Sequence, residues 1–304
     1  MAYQKQNFQN GQKLKAEHLN FMEQGVAETE KQIAAVNLLD NSNFAHLVNQ
    51  RGQTMYSGTA GYKIDRWRSQ AAISWTVLPG SCLMITNTSD AANGIAQYLA
   101  EGTAPAPGEM VTLACEDLEG NVYCGAVAMP ATGNVLAFTR EDGRFYGRVY
   151  AWSETAGERV NLILAAGATV SLKWAALYKG AFTKDTLPLY KPRTYAQELM
   201  ECQRYYQRID MSVQVAGYSM LTPGRFVFCL PLPIAMRDTP TMTFDGSVDV
   251  SCNGVNCSTT PDGTKFQAGH MIKFYTDYSG EETIPPYHAA TGTLPPALEL
   301  SAEL

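Results

Sequence analysis

No stretch of this 304-residue chain reaches the roughly 18 consecutive apolar residues of a membrane-spanning helix, and the opening MAYQKQNFQN lacks the apolar core of a signal peptide. The expectation is a chain made in a cytoplasm and not inserted in a membrane. Lysine and arginine form no block, and the net charge is -6. Phosphate binding needs clustered cations, so a nucleic-acid partner is not expected. The seven cysteines, at 82, 115, 124, 202, 229, 252 and 257, are odd in number and scattered, which makes no disulfide framework. They read as small buried hydrophobes. The close pair Cys252 and Cys257 flanks Asn253-Gly254, a strong hairpin signal that sets Cys252 opposite Val255 and Cys257 opposite Val250. Without Cys-x-x-Cys spacing or grouped histidines, neither a metal nor a cofactor is expected.

Catalytic signatures are missing as well. There is no Gly-x-Ser-x-Gly elbow and no glycine-rich phosphate loop. Glycoside hydrolysis needs two carboxylates about 5 to 9 Å apart, and the adjacent pairs Glu116/Asp117, Glu141/Asp142 and Glu281/Glu282 sit where successive side chains diverge or are solvated. No repeat of about 20 to 50 residues suggests a solenoid. The chain reads as a binding or structural protein, with a glycan hydrolase the least supported alternative.

What is present begins with a heptad seam. Leu19, Val26 and Ile33 fall seven residues apart, and Met22, Thr29 and Val36 repeat the step three residues later. β-Branched residues at both core positions favour three strands over two, so residues 1–36 read as a trimerisation and attachment helix. An amphipathic helix packing on its own β domain is the alternative. From about Asn37 short alternating runs separated by turns take over: Val111, Leu113 and Cys115; Val160, Leu162 and Leu164; Val170, Leu172 and Trp174. Asp142-Gly143 joins two apolar runs as a hairpin. Residues 37–191 thus read as an antiparallel β-sandwich. Thr194-x-x-Gln197 is a capping box opening a helix, with Ala196, Leu199, Cys202 and Tyr206 at helical spacing, so 192–210 is assigned to a junction helix. Strand patterns resume over 211–304, a smaller C-terminal β domain, while the stretch after Glu281 reads as extended chain without elements of its own.

Several phrases carry a resemblance. GQKLKAEHLNFMEQGV resembles the opening helix of many tail and baseplate proteins of tailed bacteriophages; NLLDNSNF, NQRG and GYKIDRW resemble the start of a jelly-roll-like domain in phage tail fibres and receptor-binding proteins; ELMECQRYYQR resembles the junction helix that follows it. They occur in the order that family has them. The family often has Thr where this chain has Lys15, which weakens the helix N-cap. The resemblance implies a homotrimeric tail fibre or receptor-binding protein, in the virion and assembled in the host cytoplasm. Its partners would be other tail or baseplate proteins and a host cell-surface glycan. An adaptor that touches no receptor is the competing class.

Glycan candidates are aromatics near turns, which stack on sugar faces. Tyr275, Tyr278 and Tyr287, with His288, surround an acidic glycine-containing loop; Tyr146, Tyr150 and Trp152 follow the Asp142-Gly143 turn, with Glu154 and Arg159 nearby. Trp67 in Asp65-Arg66-Trp67 reads chiefly as a core anchor, with a sugar platform as the minority reading.

Overall fold

The computed structural model describes residues 15–303 except 59, 152–156, 211, 221–224, 244–245, 269, 279–285 and 295–297; the side chains of 27–34 and 260–268 also lie outside the description. The chain is mainly β, with antiparallel sheets, and divides into two compact units. Residues up to Leu47 and Gln53–Thr194 form the first unit; Val48–Gly52 and Tyr195–Leu304 form the second.

Helix α1 spans Ala16–Ala34 with Lys15 as N-cap and no side-chain cap hydrogen bond. Twelve strands follow: β1 Met55–Tyr56, β2 Gly61–Ile64, β3 Trp67–Ser69, β4 Ile73–Leu78, β5 Cys82–Asn87, β6 Asn93–Tyr98, β7 Met110–Asp117, β8 Val122–Ala128, β9 Gly133–Thr139, β10 Phe145–Ala151, β11 Arg159–Leu164 and β12 Thr169–Lys179. They make two six-stranded sheets, β1-β4-β5-β12-β7-β8 and β2-β3-β6-β11-β10-β9, whose inward residues share one core. Alternation explains most of it: Val111, Leu113 and Cys115 of β7 and Val160, Leu162 and Leu164 of β11 all enter that core. One expectation fails at a bulge. The register shifts between Leu172 and Trp174, which brings Ala175 and Leu177 inward instead. Trp174 leaves the core and stacks flat on Tyr190, with centroids 4.8 Å apart.

The second unit opens with α2, Tyr195–Gln203, followed by β13 Tyr206–Ile209, β14 Val213–Ser219, β15 Arg225–Pro231, β16 Thr241–Thr243, β17 Val248–Cys252, β18 Val255–Ala268, β19 Met271–Asp277, β20 Ala289–Leu294 and β21 Leu298–Ser301. Strands β14-β15-β19-β18-β17-β20 close a barrel, and β13-β21-β16 form a small sheet. Helix α2 is shorter than its sequence period suggests and belongs to the second unit. Its last turn tightens through Arg204 and Tyr205 amides donating to the carbonyls three residues back, and Tyr206 then pairs with Ser301 of β21. The C-terminal stretch is also corrected: it supplies two strands, one of which closes the barrel.

Asn253 and Gly254 both have positive φ, 50° and 83°, as a type I′ hairpin requires. Cys252 pairs with Val255, and Cys257 with Val250. The two thiols are not opposed, so denaturing, non-reducing mass spectrometry should find seven free thiols. A 252–257 bridge would refute the hairpin register.

Candidate functional site

The phrases that carry the resemblance meet one another. In the first unit Asp40 receives Arg66 Nε at 3.2 Å and Arg193 Nη1 at 2.8 Å. Arg66 also donates to the Tyr98 carbonyl at 2.8 Å, while Gln97 donates to the Asp40 carbonyl at 2.6 Å and accepts its amide at 2.7 Å. Trp67 Nε1 donates to the Asn41 carbonyl at 2.9 Å, and Asn41 donates to the Asp65 carbonyl at 2.8 Å. Arg66 adopts φ 70° in the turn between β2 and β3, a conformation costly for a non-glycine residue and held by this network. Asp65, Arg66 and Trp67 are fully buried, so the sugar-platform reading of Trp67 is withdrawn. In the second unit Arg51 lies 3.7 Å above the Tyr206 ring and pairs with Glu303. Gln50 donates to the Tyr206 carbonyl at 2.8 Å, and Arg208 to the Arg51 carbonyl at 2.9 Å. These contacts explain why Val48–Gly52 leaves the unit that surrounds it in sequence.

The outer face of the β2-β3-β6-β11-β10-β9 sheet collects arginines and tyrosines from far apart in the chain. One cross-strand row runs Tyr62, Arg68, Ala96, Asn161, Arg148; the next runs Tyr98, Arg159, Tyr150, Asn134. The Arg159 guanidinium lies 4.8 Å from the Tyr150 ring centroid and that of Arg148 5.4 Å from Tyr146, while Arg68 sits 5.8 Å from both Tyr62 and Tyr98. The Tyr98 hydroxyl accepts from Arg159 Nη1 at 3.1 Å and Arg68 Nη1 at 3.4 Å. Arg148 Nη1 donates to Asn134 Oδ1 at 2.5 Å. At the centre, Asn161 is 0 % exposed and neither amide atom has a hydrogen-bond partner. Tyr146 therefore stands in the predicted aromatic group, joined by residues that sequence reading did not connect to it. Trp152 lies outside the described residues.

The other candidate tyrosines gather by register at one end of the barrel. Tyr275 faces out on β19 beneath Arg225, whose guanidinium is 5.0 Å from its centroid and 3.4 Å from Asp277. Tyr218 and Tyr275 flank Val227 across β14, β15 and β19. Tyr218, not singled out from the sequence, is 45 % exposed. Tyr278 packs partly against the barrel core. Tyr287 is exposed, has φ 60°, and its amide donates to the Ser219 carbonyl at 2.8 Å. An open groove of about 500 Å³ on the outer face includes Gln214, Asp249, Ser251, Asn256 and Thr291.

On α1, Leu19 and Val26 are 45 % and 59 % exposed, and Val36 just beyond it 68 %. Met22 is half-buried, and the side chains of Thr29 and Ile33 lie outside the description. Among the described residues Leu19 and Val26, one heptad apart, are thus exposed on α1, whereas Val36 lies past the helix end, so the expected seam does not reach it as helix. Beside it an open cavity of about 590 Å³ is lined by Ala35, Val36, Leu38 and Phe182.

Three of the carboxylates weighed for catalysis, Glu116, Asp117 and Asp142, have structural partners. Glu116 accepts from Lys173 at 3.1 Å and Trp174 Nε1 at 2.8 Å. Burial alone would raise Asp117, but hydrogen bonds from Asn121 and Tyr123 outweigh it and hold its pKa below the ordinary value. Burial first, and then the bond to Asp117, push the Tyr123 phenol up to about 12. The Arg140 fork and the Arg144 amide hold exposed Asp142 at about 2. Glu281 and Glu282 lie outside the described residues.

Among the described residues no group of three His, Cys, Asp or Glu side chains could hold a metal, and no helix is long and apolar enough to cross a membrane. No family model, curated protein or solved structure matches the chain.

Proposed function

We propose that this chain is a trimeric tail component of a tailed bacteriophage, a fibre or receptor-binding protein that joins the particle to the host cell surface by binding rather than catalysis. The observation that carries the reading is spatial. The phrases resembling tail proteins are contact partners: Asp40 with Arg66 and Asn41 with Trp67 in one unit, Gln50 and Arg51 with Tyr206 and Arg208 in the other. Asp40 and Arg66, 26 positions apart, form one such clasp, so phrases distant in sequence act together within one folded unit, which supports reading them as parts of a shared architecture. The sandwich fits a jelly-roll-like description in its nested pairs, β5 beside β12 and β6 beside β11, whereas β7–β8 and β9–β10 remain plain hairpins. The uncovered α1 stripe supports three-stranded assembly, because exposed β-branched and leucine side chains at heptad spacing are buried when helices associate.

Three copies on one fibre multiply weak contacts, raising avidity by factors on the order of 10² to 10⁴. Shallow aromatic surfaces are then adequate. Replacing Tyr275, Tyr278 and Tyr287 together by alanine should reduce binding of the full chain to host bacterial cells several-fold while the trimer persists. Wild-type protein that assembles but binds no cells of a susceptible host would favour the adaptor reading instead. Unchanged binding by the triple variant would move recognition away from this end of the barrel.

A further inference from the structure

We infer that the arginine–tyrosine face of the sandwich is a binding surface for an acidic polysaccharide, with Arg68, Arg148 and Arg159 as the groups that hold its anions. This deepens the attachment reading by naming a ligand chemistry, and it rests on that reading only for the biological source of the polymer. The starting point is charge. Neither Arg68 nor Arg148 pairs with a carboxylate among the described residues, although the chain as a whole carries -6. Cations that only hold a fold together are normally matched; these two are held by neutral partners.

The way they are held leaves chemistry to spare. Arg148 spends Nη1 on Asn134, and Arg68 spends Nη1 on the Tyr98 hydroxyl; the Nε of each is buried, which leaves Nη2 as the donor open to a ligand. A guanidinium Nη2 donates charge-assisted hydrogen bonds to a carboxylate or phosphate, which are stronger than those between neutral groups. Cation–π contact with the tyrosine rings and the Nη1 hydrogen bonds hold the guanidinium groups in place in advance, which lowers the entropy lost on binding. Beneath them the Asn161 amide is wholly buried with both polar atoms unpartnered. A buried amide left so is costly and points to a polar group that completes the layer.

The shape selects a polymer. The residues lie on an open sheet rather than in a cavity, and Arg68 and Arg148 stand three strands apart, about 14 Å at the usual strand spacing. A single small anion cannot span that distance. A chain bearing an anion on successive units can, with its sugar or polyol faces against Tyr98 and Tyr150. Neutral glycans gain no charge-assisted hydrogen bonds from these arginines.

The full-length protein should be titrated with polygalacturonate, poly(glycerol phosphate) and dextran by affinity electrophoresis and calorimetry. At least one acidic polymer is expected to bind, with affinity falling as salt rises, and dextran is not. Binding to polygalacturonate alone identifies a carboxylated ligand; binding to poly(glycerol phosphate) alone identifies a phosphate-bearing one. Arg148→Gln and Arg68→Gln should each weaken binding at least tenfold, and Arg148→Lys, which keeps the charge but cannot hold Asn134 through one nitrogen and present another to the ligand in the same plane, should also weaken it. Arg140→Gln, at an exposed ion pair elsewhere, should not. The inference is overturned if neither acidic polymer binds, if dextran binds as well, or if the folded lysine and glutamine variants bind like wild type. Host-cell binding without acidic-polymer binding would remove this site and leave the attachment reading standing; loss of both would remove both.

Discussion

Asp40→Ala should destabilise the sandwich by about 3–5 kcal/mol, because it strands a buried guanidinium. The side chains of Arg66 and Asp40 are 1 % and 6 % exposed, so water cannot replace the lost carboxylate. Arg66 would lose its carboxylate while keeping the Tyr98 carbonyl at 2.8 Å, and Arg193 would lose its 2.8 Å partner. The φ of 70° at Arg66 adds to the effect, since the network that holds this turn would be incomplete. Asp40→Asn keeps the shape and part of the hydrogen bonding, and should fall between wild type and Asp40→Ala. The measurement is clean because all four tryptophans precede residue 195 and fluorescence therefore follows the first unit. Urea unfolding with Asp40→Ala within about 1 kcal/mol of wild type would show that the network is ornamental.

The barrel should be most sensitive around Phe228. A Cβ at Gly217 would lie 2.2 Å from the Val227 carbonyl oxygen and 2.5 Å from Phe228 Cδ1. The first of these is backbone and cannot swing aside. Gly217→Ala should therefore cost about 3 kcal/mol, the upper end of ordinary overpacking, comparable to the 3–5 kcal/mol of Phe228→Ala. At Gly292 the neighbours of an added Cβ are side-chain atoms, Phe228 Cε1 at 2.9 Å and Val215 Cγ2 at 3.1 Å. Gly292→Ala should cost less, and Phe228→Leu should partly rescue it but not Gly217→Ala. Urea unfolding followed by far-ultraviolet circular dichroism gives the comparison. Equal effects at the two glycines would mean that the β14–β15 approach is looser than described.

The same residues show why part of the barrel was not legible. Strand β20 turns Ala290, Gly292 and Leu294 inward, so two of its three core positions are too small to register as an apolar alternation. Gly292 is small because Phe228 fills the space beside it. In β21 only Leu298 and Leu300 alternate, a pattern too short to stand out after Pro295-Pro296. Long strands with large inward residues, such as β7 and β11, were legible for the converse reason. The Trp174 bulge and the early end of α2 were not, because cross-strand register and the pairing of Tyr206 are decided by partners distant in sequence. The arginine face was hidden in the same way. Arg68 is far in sequence from Arg148 and Arg159, and only strand order brings them into neighbouring rows, which is how a chain without a basic block acquires a locally cationic surface. Tyr146 was visible as part of a run of aromatics with Arg159 nearby, but its partner Arg148 and the Arg68 and Tyr98 of the same face were not.

The proposed trimer, held through Leu19 and Val26 of α1, is read out by the mass of the protein in solution. Light scattering on the full-length protein at micromolar concentration should return three times the 33.2 kDa of one chain, and Leu19→Asp with Val26→Asp should lower the assembly state. A wild-type mass of one chain at that concentration would contradict the account.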